Sequence, residues 1–400
     1  MLFPYAPQPP PNDLAGMKRN LPFLLELAKA NEVSVLAYGT AAEEQIFRSA
    51  YGHLLGDIRF VDTKRPRLLN GLERVWLLGT GRSAFRQLYR PAMQAALDAM
   101  TRERRYDVIH TCVQFFGYFR FPAGVAVTSD THEVKYLLLQ RTAQTVKNPL
   151  QKLEYSLGAR FGRQEEMALC RKFDALVATT DADLEVFRRD LPTQRIEVIS
   201  NGAGTSFLED LGVEPEPCSM VFTGYFRHLP NSQGLLWFLD EVFPLIQAQS
   251  PRAKVYVVGK SPTKELLARA GEKIVVTGFV EDVRPYMARG QVFIIPLLAG
   301  GGIRGKALEA MAMRRPIVST TVGVEGIRLR AGESALFGDT PAEFAQAVLR
   351  LFGDAELRAR LVRTAFATVN EHYVWAAKGR ELDRLLRSVV AERAKSAAGN

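Results

Sequence analysis

The chain has 400 residues, about two to three times the usual length of one domain, and this favours two domains of roughly 200 residues each. Hydrophobic residues make up 47% and charged residues 24% of the sequence, a globular composition that excludes a disordered or fibrous protein. Lys and Arg number 52 against 43 Asp and Glu, so the formal charge of +9 admits nucleic acid, phosphorylated small molecules or an anionic membrane surface as partners.

The cysteines and the apolar runs of the sequence bear on whether the protein is disulfide-bonded, zinc-binding, secreted or membrane-spanning. Cys112, Cys170 and Cys218 are far apart, and their spacing indicates neither a disulfide framework nor a zinc site. The sequence opens without a signal-peptide pattern, and no apolar run approaches the roughly 20 residues that span a bilayer. We therefore expect a cytoplasmic protein.

Apolar runs typical of strands alternate with amphipathic stretches, which predicts an α/β fold of parallel sheets covered by helices. Residues 2–3 allow only a short first strand. The further strands predicted in the first half are 33–38, 58–61, 107–111, 124–128, 174–179 and 195–199. Those predicted in the second half are 220–223, 254–258, 273–276, 291–296, 316–320 and 335–337. Two similar halves follow from this pattern.

The turn-rich segments 201–202 and 212–218 separate the two halves and predict an interdomain linker. The predicted boundary is near residue 210. We expect one domain over 1–210, a second over 211–375, and a C-terminal helix and tail over 376–400.

A basic and aromatic stretch lies at residues 64–91. Arg82, Arg86 and Arg90 alternate there with apolar side chains such as Trp76 and Phe85, a pattern that resembles an interfacial helix docking on an anionic membrane. The alternative is a solvated basic face over an ordinary core-facing stripe, which the glycines at 79 and 81 favour because they interrupt a long helix.

An acidic triplet at 181–183 (DAD) superficially matches a metal-binding motif. It follows a predicted strand and opens a helical stretch, where acidic residues suit the positive end of the helix dipole. We therefore predict a helix start there and no metal site.

The segment 299–306 (AGGGIRGK) joins a predicted strand to a predicted helix. Glycines let backbone N–H groups approach a phosphate, the helix N-terminus favours an anion, and Arg304 and Lys306 add charge-assisted donors. This combination predicts a diphosphate site, with a plain tight turn as the alternative. A P-loop is disfavoured because Ala307 lacks the hydroxyl that holds magnesium.

Glu309 lies one turn after Lys306 on the same predicted helical face. A carboxylate at this position can accept hydrogen bonds from both ribose hydroxyls of a nucleotide. The alternative is a surface glutamate that pairs with Lys306.

An ordered set of motifs in the second half resembles the family 4-like (group 1) glycosyltransferases, in particular the branch associated with exopolysaccharide and cell-surface glycan synthesis. The motifs are 221–224 (VFTG), 229–231 (LPN), 257–259 (VVG), 276–286 (VTGFVEDVRPY), 300–313 (GGGIRGKALEAMAM), 316–320 (PIVST) and 325–326 (EG). The first half resembles the family more thinly, through 130–133 (DTHE), 173–174 (FD), 179–183 (TTDAD) and 199–202 (ISNG).

The resemblance implies a GT-B fold, in which two Rossmann-like domains face each other across a cleft. It implies a retaining hexosyltransferase that needs no metal or other cofactor and takes a UDP- or GDP-sugar as donor. The N-terminal domain would bind a glycan or polyprenyl-linked acceptor, and the C-terminal domain would bind the donor. Such an enzyme would work in the cytoplasm or at the inner face of the cytoplasmic membrane, and we expect no nucleic-acid partner.

The resemblance also carries functional roles onto individual positions. The donor-binding candidates are Gly16, Gly224, Arg227, Gly300, Gly301, Gly302, Ile303 and Glu309. The catalytic candidates are His132, Arg304 and Lys306. His132 follows a predicted strand, where α/β proteins place ligand-contacting residues; the alternative is a histidine bonded locally at a helix start.

The sequence departs from the family pattern at several of these positions. Gly301 stands where the family carries its first glutamate, and Tyr225 and Gln233 stand where it carries a cationic pair. Arg227, Arg304 and Lys306 are the candidate substitutes for that pair. A GT-B sugar-nucleotide epimerase and a non-catalytic relative that only binds a sugar nucleotide therefore stay open as alternatives.

Overall fold

The structure is a computed structural model that describes residues 1–7, 17–62, 71, 73, 76–77, 79–146, 149–299 and 303–398. The chain divides into two units. The first unit comprises Met1–Ser200 together with Lys378–Asn400, and the second comprises Asn201–Ala377. The division thus falls after Ser200 rather than at the predicted residue 210, and most of the C-terminal segment belongs to the first unit instead of standing apart.

The first unit contains a parallel sheet with the strand order β3-β2-β1-β4-β5-β6-β7 in its described part. Its strands are β1 (Leu2–Phe3), β2 (Val35–Tyr38), β3 (Ile58–Val61), β4 (Val108–Thr111), β5 (Ala126–Thr131), β6 (Ala175–Ala178) and β7 (Ile196–Val198). The register pairs Leu2 with Leu36 on one side of β1 and with Thr111 on the other. The strand order reverses between β1 and β4, and such a switch point is where α/β sheets bind ligands.

The second unit contains a parallel sheet with the order β10-β9-β8-β11-β12-β13. Its strands are β8 (Glu216–Thr223), β9 (Lys254–Val258), β10 (Ile274–Gly278), β11 (Gly290–Ile295), β12 (Ile317–Ser319) and β13 (Leu336–Phe337). The central strands are almost fully buried, because helices cover both faces of a parallel sheet. Here the order reverses between β8 and β11.

The helices lie between the strands, as the alternating pattern predicts. Those of the first unit are α1 (Met17–Ala28), α2 (Ala41–Tyr51), α3 (Pro91–Glu103), α4 (Lys135–Thr145), α5 (Pro149–Cys170) and α6 (Asp181–Asp190). Those of the second are α7 (Leu229–Trp237), α8 (Phe243–Gln249), α9 (Lys264–Leu267), α10 (Arg284–Arg289), α11 (Gly305–Ala312), α12 (Pro341–Gly353) and α13 (Ala355–His372). The last helix, α14 (Trp375–Ala398), begins in the second unit and continues into the first.

Helix starts follow ordinary capping chemistry. The Thr40 hydroxyl accepts the Glu43 N–H at 3.3 Å and forms a capping box at α2. At α6 the Thr180 hydroxyl accepts the Asp183 N–H at 3.0 Å, so Asp181 and Asp183 occupy the first helical turn. The acidic triplet is therefore a helix start, as predicted, although the capping residue itself is Thr180.

The predicted linker 212–218 is wrong at its C-terminal end, because β8 already begins at Glu216. Gly212, Pro215 and Pro217 make this part of the sequence look like a turn, and the structure shows Cys218 with a positive φ of 57°. The structure compensates with side-chain hydrogen bonds. The Cys218 N–H donates to Oε1 of Gln291 at 2.7 Å, and the Ser219 hydroxyl accepts the Gln291 N–H at 3.0 Å.

Candidate functional site

The switch point of the second unit lies between the carboxyl ends of β8 and β11. Gly224 directly follows β8, and the glycine-rich segment follows β11. Gly300, Gly301 and Gly302 lie outside the described residues, as does Gly16 in the first unit. The described part of this segment resumes at Ile303, which packs partly buried against the core of the second unit.

Lys306 is fixed by contacts in the first turn of α11. Its Nζ donates to Oδ1 of Asn231 at 2.9 Å and lies 3.9 Å from the centre of the Phe222 ring. Arg304 is the N-cap residue of this helix and is only 9% exposed. Both cations thus stand at the positive end of a helix dipole, an arrangement that favours an anion.

Asn231 connects Lys306 to the segment that follows β8. Its Nδ2 donates to the Tyr225 carbonyl oxygen at 2.9 Å. Gly224 fits beneath this amide, since a Cβ at 224 would come within 3.1 Å of Asn231 Nδ2. The structure therefore brings together Gly224 and Lys306, two residues that the sequence predicted separately. Sequence reasoning missed Asn231 as a site residue, although it lies within the LPN motif.

The remaining donor-site candidates have simpler surroundings. Arg227 is exposed in the turn between β8 and α7. Glu309 is half-buried on α11, one turn beyond Lys306. Their proposed contacts with the diphosphate and the ribose stay predictions.

His132 of the first unit directly follows the carboxyl end of β5. Its Nε2 lies 3.1 Å from Oδ1 of Asn20 on α1 and 3.4 Å from Oδ2 of Asp130. The Asn20 Nδ2 donates to the Tyr5 hydroxyl at 2.9 Å, which sets the orientation of the amide and leaves Oδ1 facing the imidazole. Because Oδ1 only accepts, the proton of the neutral imidazole belongs on Nε2 and the lone pair on Nδ1.

A buried ion pair lies beneath His132. Arg19 Nε and Nη2 donate to the two carboxylate oxygens of Asp130 at 2.7 and 2.8 Å, and both side chains are almost fully buried. Arg19 Nη2 also donates to the Ile199 carbonyl oxygen at 2.8 Å. Burial by itself would raise the pKa of Asp130, but Arg19 and His132 outweigh it and hold that pKa below its usual range.

A cavity of about 420 Å³ opens beside His132 at the switch point of the first unit. Pro4 follows β1 and Val113 follows β4 on its wall. Aromatic and polar side chains complete the lining, including Phe85, Gln114, Phe115, His132, Glu133 and Lys135. Its size falls within the roughly 300–1,000 Å³ of small-molecule sites.

Two other titratable side chains of the first unit, His110 and Asp183, are hydrogen-bonded to neighbouring threonines. His110 Nδ1 lies 2.9 Å from the Thr128 hydroxyl, and burial lowers the pKa of His110 to about 4. The Asp183 carboxylate accepts the hydroxyls of Thr179 and Thr180 at 3.0 and 2.7 Å. Among the described residues, no group of His, Cys, Asp and Glu is arranged to hold a metal ion.

The stretch 64–91, whose pattern resembles an interfacial helix, does not form one continuous helix in its described part. Gly81 adopts a positive φ of 72°, and a short 3-10 helix forms at Ala84–Leu88, where the Phe85 ring stacks on Phe115 at 4.1 Å. Residues 63–70, 72, 74, 75 and 78 lie outside the described part. Trp76 is 59% exposed. No described helix has the length and apolar character that a membrane crossing needs.

Residues 217–354 match the family model described as "Glycosyl transferases group 1". The uncharacterized 44.6 kDa protein in the cps region of Klebsiella pneumoniae is 26% identical over 165 residues, which are 39% of this chain and 42% of that protein. The match therefore spans less than half of that relative's length. The alpha-D-kanosaminyltransferase of Streptomyces kanamyceticus is 24% identical over 294 residues, which are 66% of this chain and 71% of that enzyme.

Solved structures share the fold of two parallel-sheet units. HepE from Anabaena, solved in complex with UDP and glucose, superposes with a TM-score of 0.64 at 14% sequence identity. The superposition covers 97% of this chain and 98% of HepE. At this identity the likeness shows the fold, and it confirms the predicted GT-B class.

Proposed function

We propose that this chain, which belongs to the group 1 glycosyl transferases through residues 217–354, transfers a sugar from a nucleoside-diphosphate sugar to a glycan or lipid-linked glycan acceptor. The family match confirms the family and the transferase class that the motifs predict. Retention of configuration, independence of metal and the nature of the acceptor are the proposed parts. The second unit would bind the donor and the first unit the acceptor.

The observation that carries the proposal is the placement of Lys306 at the switch point of the second unit. Asn231 and the Phe222 ring hold its ammonium group at the start of α11, and the same Asn231 amide lies against Gly224, the residue that follows β8. A diphosphate leaving group gains negative charge as the bond to the sugar breaks, so donors fixed in advance stabilise the transition state. Lys306, Arg304 and the N–H groups at the helix start supply such donors.

His132 is the proposed catalytic group of the first unit. Its Nε2 is committed to Asn20 and Asp130, so Nδ1 is the atom available to hydrogen-bond a sugar hydroxyl or the transferred group. The imidazole is held in place by Asn20 and Asp130, and Asp130 is in turn fixed by its buried ion pair with Arg19. Holding a polar group in a fixed direction lowers the reorganisation that the reaction requires.

The comparisons support the substrate classes of the proposal. A GT-B neighbour was solved with UDP and glucose, and one relative is named as a kanosaminyltransferase, which favours a sugar nucleotide as donor. A further relative is encoded in a cps region, which favours a cell-surface glycan as product. We propose a UDP- or GDP-sugar donor and place the reaction in the cytoplasm.

Peripheral contact with the inner face of the cytoplasmic membrane is a further part of the proposal. Its support is the exposed Trp76 together with the exposed Arg82 and Arg86 on the same stretch of chain. An aromatic ring at the headgroup level and cations facing anionic lipid are the usual features of an interfacial contact.

Calorimetry of the full chain with UDP-glucose and GDP-mannose, with and without EDTA, tests the donor part. We expect one of the two sugar nucleotides to bind equally well in both conditions. Product analysis by NMR then separates the alternatives, since transfer with retention gives an α-linked product from an α-linked donor, an epimerase converts the donor alone, and a binding protein gives no product. The proposal fails if neither these nor other common sugar nucleotides bind.

The His132→Asn variant separates binding from chemistry. We expect its affinity for the donor to match that of the unchanged protein, while its transfer rate falls by about 10²-fold, within the range for a positioned proton-transfer or hydrogen-bonding group. A matched His53→Asn variant, on the short helix after α2, should keep the full rate. Loss of donor affinity in His132→Asn would remove His132 from the proposed role.

A further inference from the structure

The cavity beside His132 is assembled from three separate connections of the first unit, called loops here although the first two contain short 3-10 helices. The first loop carries Phe85, the second carries Gln114 and Phe115, and the third runs from His132 to Lys135. Connecting segments are in general more mobile than the elements they join, so the contacts that tie them to a helix set the geometry of the cavity. One helix, α5, supplies those ties.

Glu166 of α5 joins the second and third loops. Its side chain is fully buried, and Oε1 accepts Gln114 Nε2 at 2.7 Å and the Lys135 N–H at 3.0 Å. Its Oε2 accepts the Tyr136 N–H at 3.0 Å. Gln114 Nε2 also lies 3.3 Å from the Glu133 carbonyl oxygen, so the same amide touches both loops. A single buried carboxylate thus caps the start of α4 and fixes two cavity walls.

The preceding residue of α5 holds the first loop. Glu165 Oε2 accepts the Ser83 N–H at 2.8 Å, two residues before Phe85. The glycine at 117 lets the second loop approach the helix closely, since a Cβ there would meet Leu169 at 3.0 Å, and Gly162 lies in ordinary contact distance of the Phe85 ring. The two consecutive glutamates therefore reach all three loops from one rigid element.

The lining of the cavity indicates the class of ligand. Phe85 and Phe115 give it an aromatic wall, and Gln114 and His132 add polar side chains. The two charged side chains, Glu133 and Lys135, form an ion pair with each other at 2.5 Å. A neutral sugar ring matches this lining, because its C–H face packs on an aromatic ring and its hydroxyls bond to amide and imidazole groups.

We propose that this cavity binds a neutral sugar residue of the acceptor, and that Glu165 and Glu166 are positioning residues that hold its three walls in the binding geometry. The proposal rests on the proposed transferase function and deepens it by naming the acceptor subsite. Neither glutamate touches the sugar. Glu166 fixes the third loop two residues after Glu133, and this loop also carries His132, so the glutamate sets the position of the catalytic candidate as well.

The test compares Glu166→Gln and Glu165→Gln with Glu185→Gln, an exposed glutamate on α6 that serves as the matched control. The ligand probe is a panel of p-nitrophenyl hexosides, whose binding is followed by saturation-transfer NMR. We expect Glu166→Gln to weaken the best hexoside about tenfold, because the amide places a donor where N–H groups need an acceptor. Glu165→Gln should weaken it less, and Glu185→Gln should leave it unchanged.

A second variant guards against loss of folding in Glu166→Gln. Phe85→Leu keeps an apolar side chain but removes the aromatic face, and we expect it to weaken hexoside binding several-fold. UDP-glucose affinity, measured by calorimetry, should be equal in all four variants. Under turnover, Glu166→Gln should raise the KM of the acceptor more than it lowers kcat, which a purely structural defect would not do.

The outcomes keep the two proposals apart. If UDP-glucose binds but no hexoside does, or if Glu166→Gln and Phe85→Leu bind hexosides as tightly as Glu185→Gln, the assignment of the cavity is overturned. If hexosides bind in the expected order but no sugar nucleotide binds, the transferase proposal fails while the cavity and its two positioning residues stand as a sugar site.

Discussion

In both units the polar groups of the candidate site lie at the switch point of the sheet. The two groups differ in their charge and in how far apart their residues are in the sequence. In the second unit, two cations stand within one continuous segment, Arg304 to Lys306, at the start of α11. In the first unit, the cation Arg19 is buried against Asp130, 111 residues away in the sequence, and the ligand-facing groups are uncharged or paired with each other. The cations of the second unit suit a charged diphosphate, and the uncharged or paired groups of the first unit suit a neutral sugar.

This difference also separates what holds each site together. Lys306 is positioned by a neutral amide and an aromatic ring. His132 depends on a network in which one full ion pair is sealed from water. Loss of Lys306 should therefore appear mainly as lost donor binding and catalysis, whereas loss of the Arg19–Asp130 pair should appear mainly as lost stability.

The largest expected effect is that of Asp130→Asn. The variant leaves the Arg19 guanidinium buried without its carboxylate, and breaking a buried pair in this way typically costs about 3–5 kcal/mol. Hydrogen exchange by mass spectrometry should show faster exchange in peptides covering β4 and β5, with the second unit unchanged. A double variant, Arg19→Met with Asp130→Leu, removes both charges and should recover most of the loss. Equal exchange in Asp130→Asn and the unchanged protein would contradict this.

The same pair predicts a pH dependence with a definite sign. Because the pKa of Asp130 is lower in the folded state than its usual value near about 4, the unfolded chain binds the proton first as the pH falls. The stabilisation is complete above that unfolded value and decreases as the pH drops below it. Urea unfolding at pH 7 and pH 3 should therefore show a larger loss for the unchanged protein than for the double variant.

The second largest effect is expected from Lys306→Ala. Removing one preorganised donor from an electrostatic site typically lowers the rate by about 10²–10³-fold. Donor affinity should fall with it, and hydrogen exchange in the first unit should not change. Lys264→Ala, an exposed lysine at the start of α9, is the matched control. A rate in Lys306→Ala equal to that of the control would show that the diphosphate binds elsewhere.

Most of the fold could be predicted because its strands are short apolar runs between polar helices. The bounds of β3 and β9 agree with the prediction, since both strands are mainly apolar runs. The start of β8 could not be predicted, because Pro217 is typical of a turn and the hydrogen bond to the Cys218 N–H comes from the Gln291 side chain, 73 residues away. Local sequence does not contain that contact.

The candidate sites depend even more on contacts between residues that are far apart in the sequence. Gly224, Lys306 and His132 could be named because each follows a predicted strand within a recognisable motif. Asn231 and Glu166 could not be given roles, because an asparagine on one helix and a glutamate in the middle of another look like ordinary helical residues until the chain is folded. Long-range pairs such as Arg19 with Asp130 leave no periodic signal in a single sequence.

A smaller effect is expected from substitutions of Asn231. Asn231→Ala removes the acceptor at 2.9 Å from Lys306, and the loss of one hydrogen bond to a charged group corresponds to about tenfold in donor affinity. Asn231→Asp keeps an acceptor but adds a negative charge beside the ammonium group, which should weaken diphosphate binding more than alanine does. Calorimetry with the preferred sugar nucleotide distinguishes the two. The opposite order, with aspartate tighter than alanine, would show that Lys306 acts through its position rather than its charge.

The smallest expected effect concerns the surface of the first unit and membrane binding. Each exposed basic residue near an anionic surface contributes about fivefold to binding at low salt, so Arg82→Gln and Arg86→Gln should each reduce sedimentation with phosphatidylglycerol vesicles by that factor. Arg90→Gln should do less, because Arg90 already pairs with Glu73 at 3.3 Å. The exposed Arg252→Gln in the second unit is the control. Added salt should abolish the differences between the variants, because it screens the charges. Equal binding of all four variants at low salt would show that this stretch does not contact the membrane.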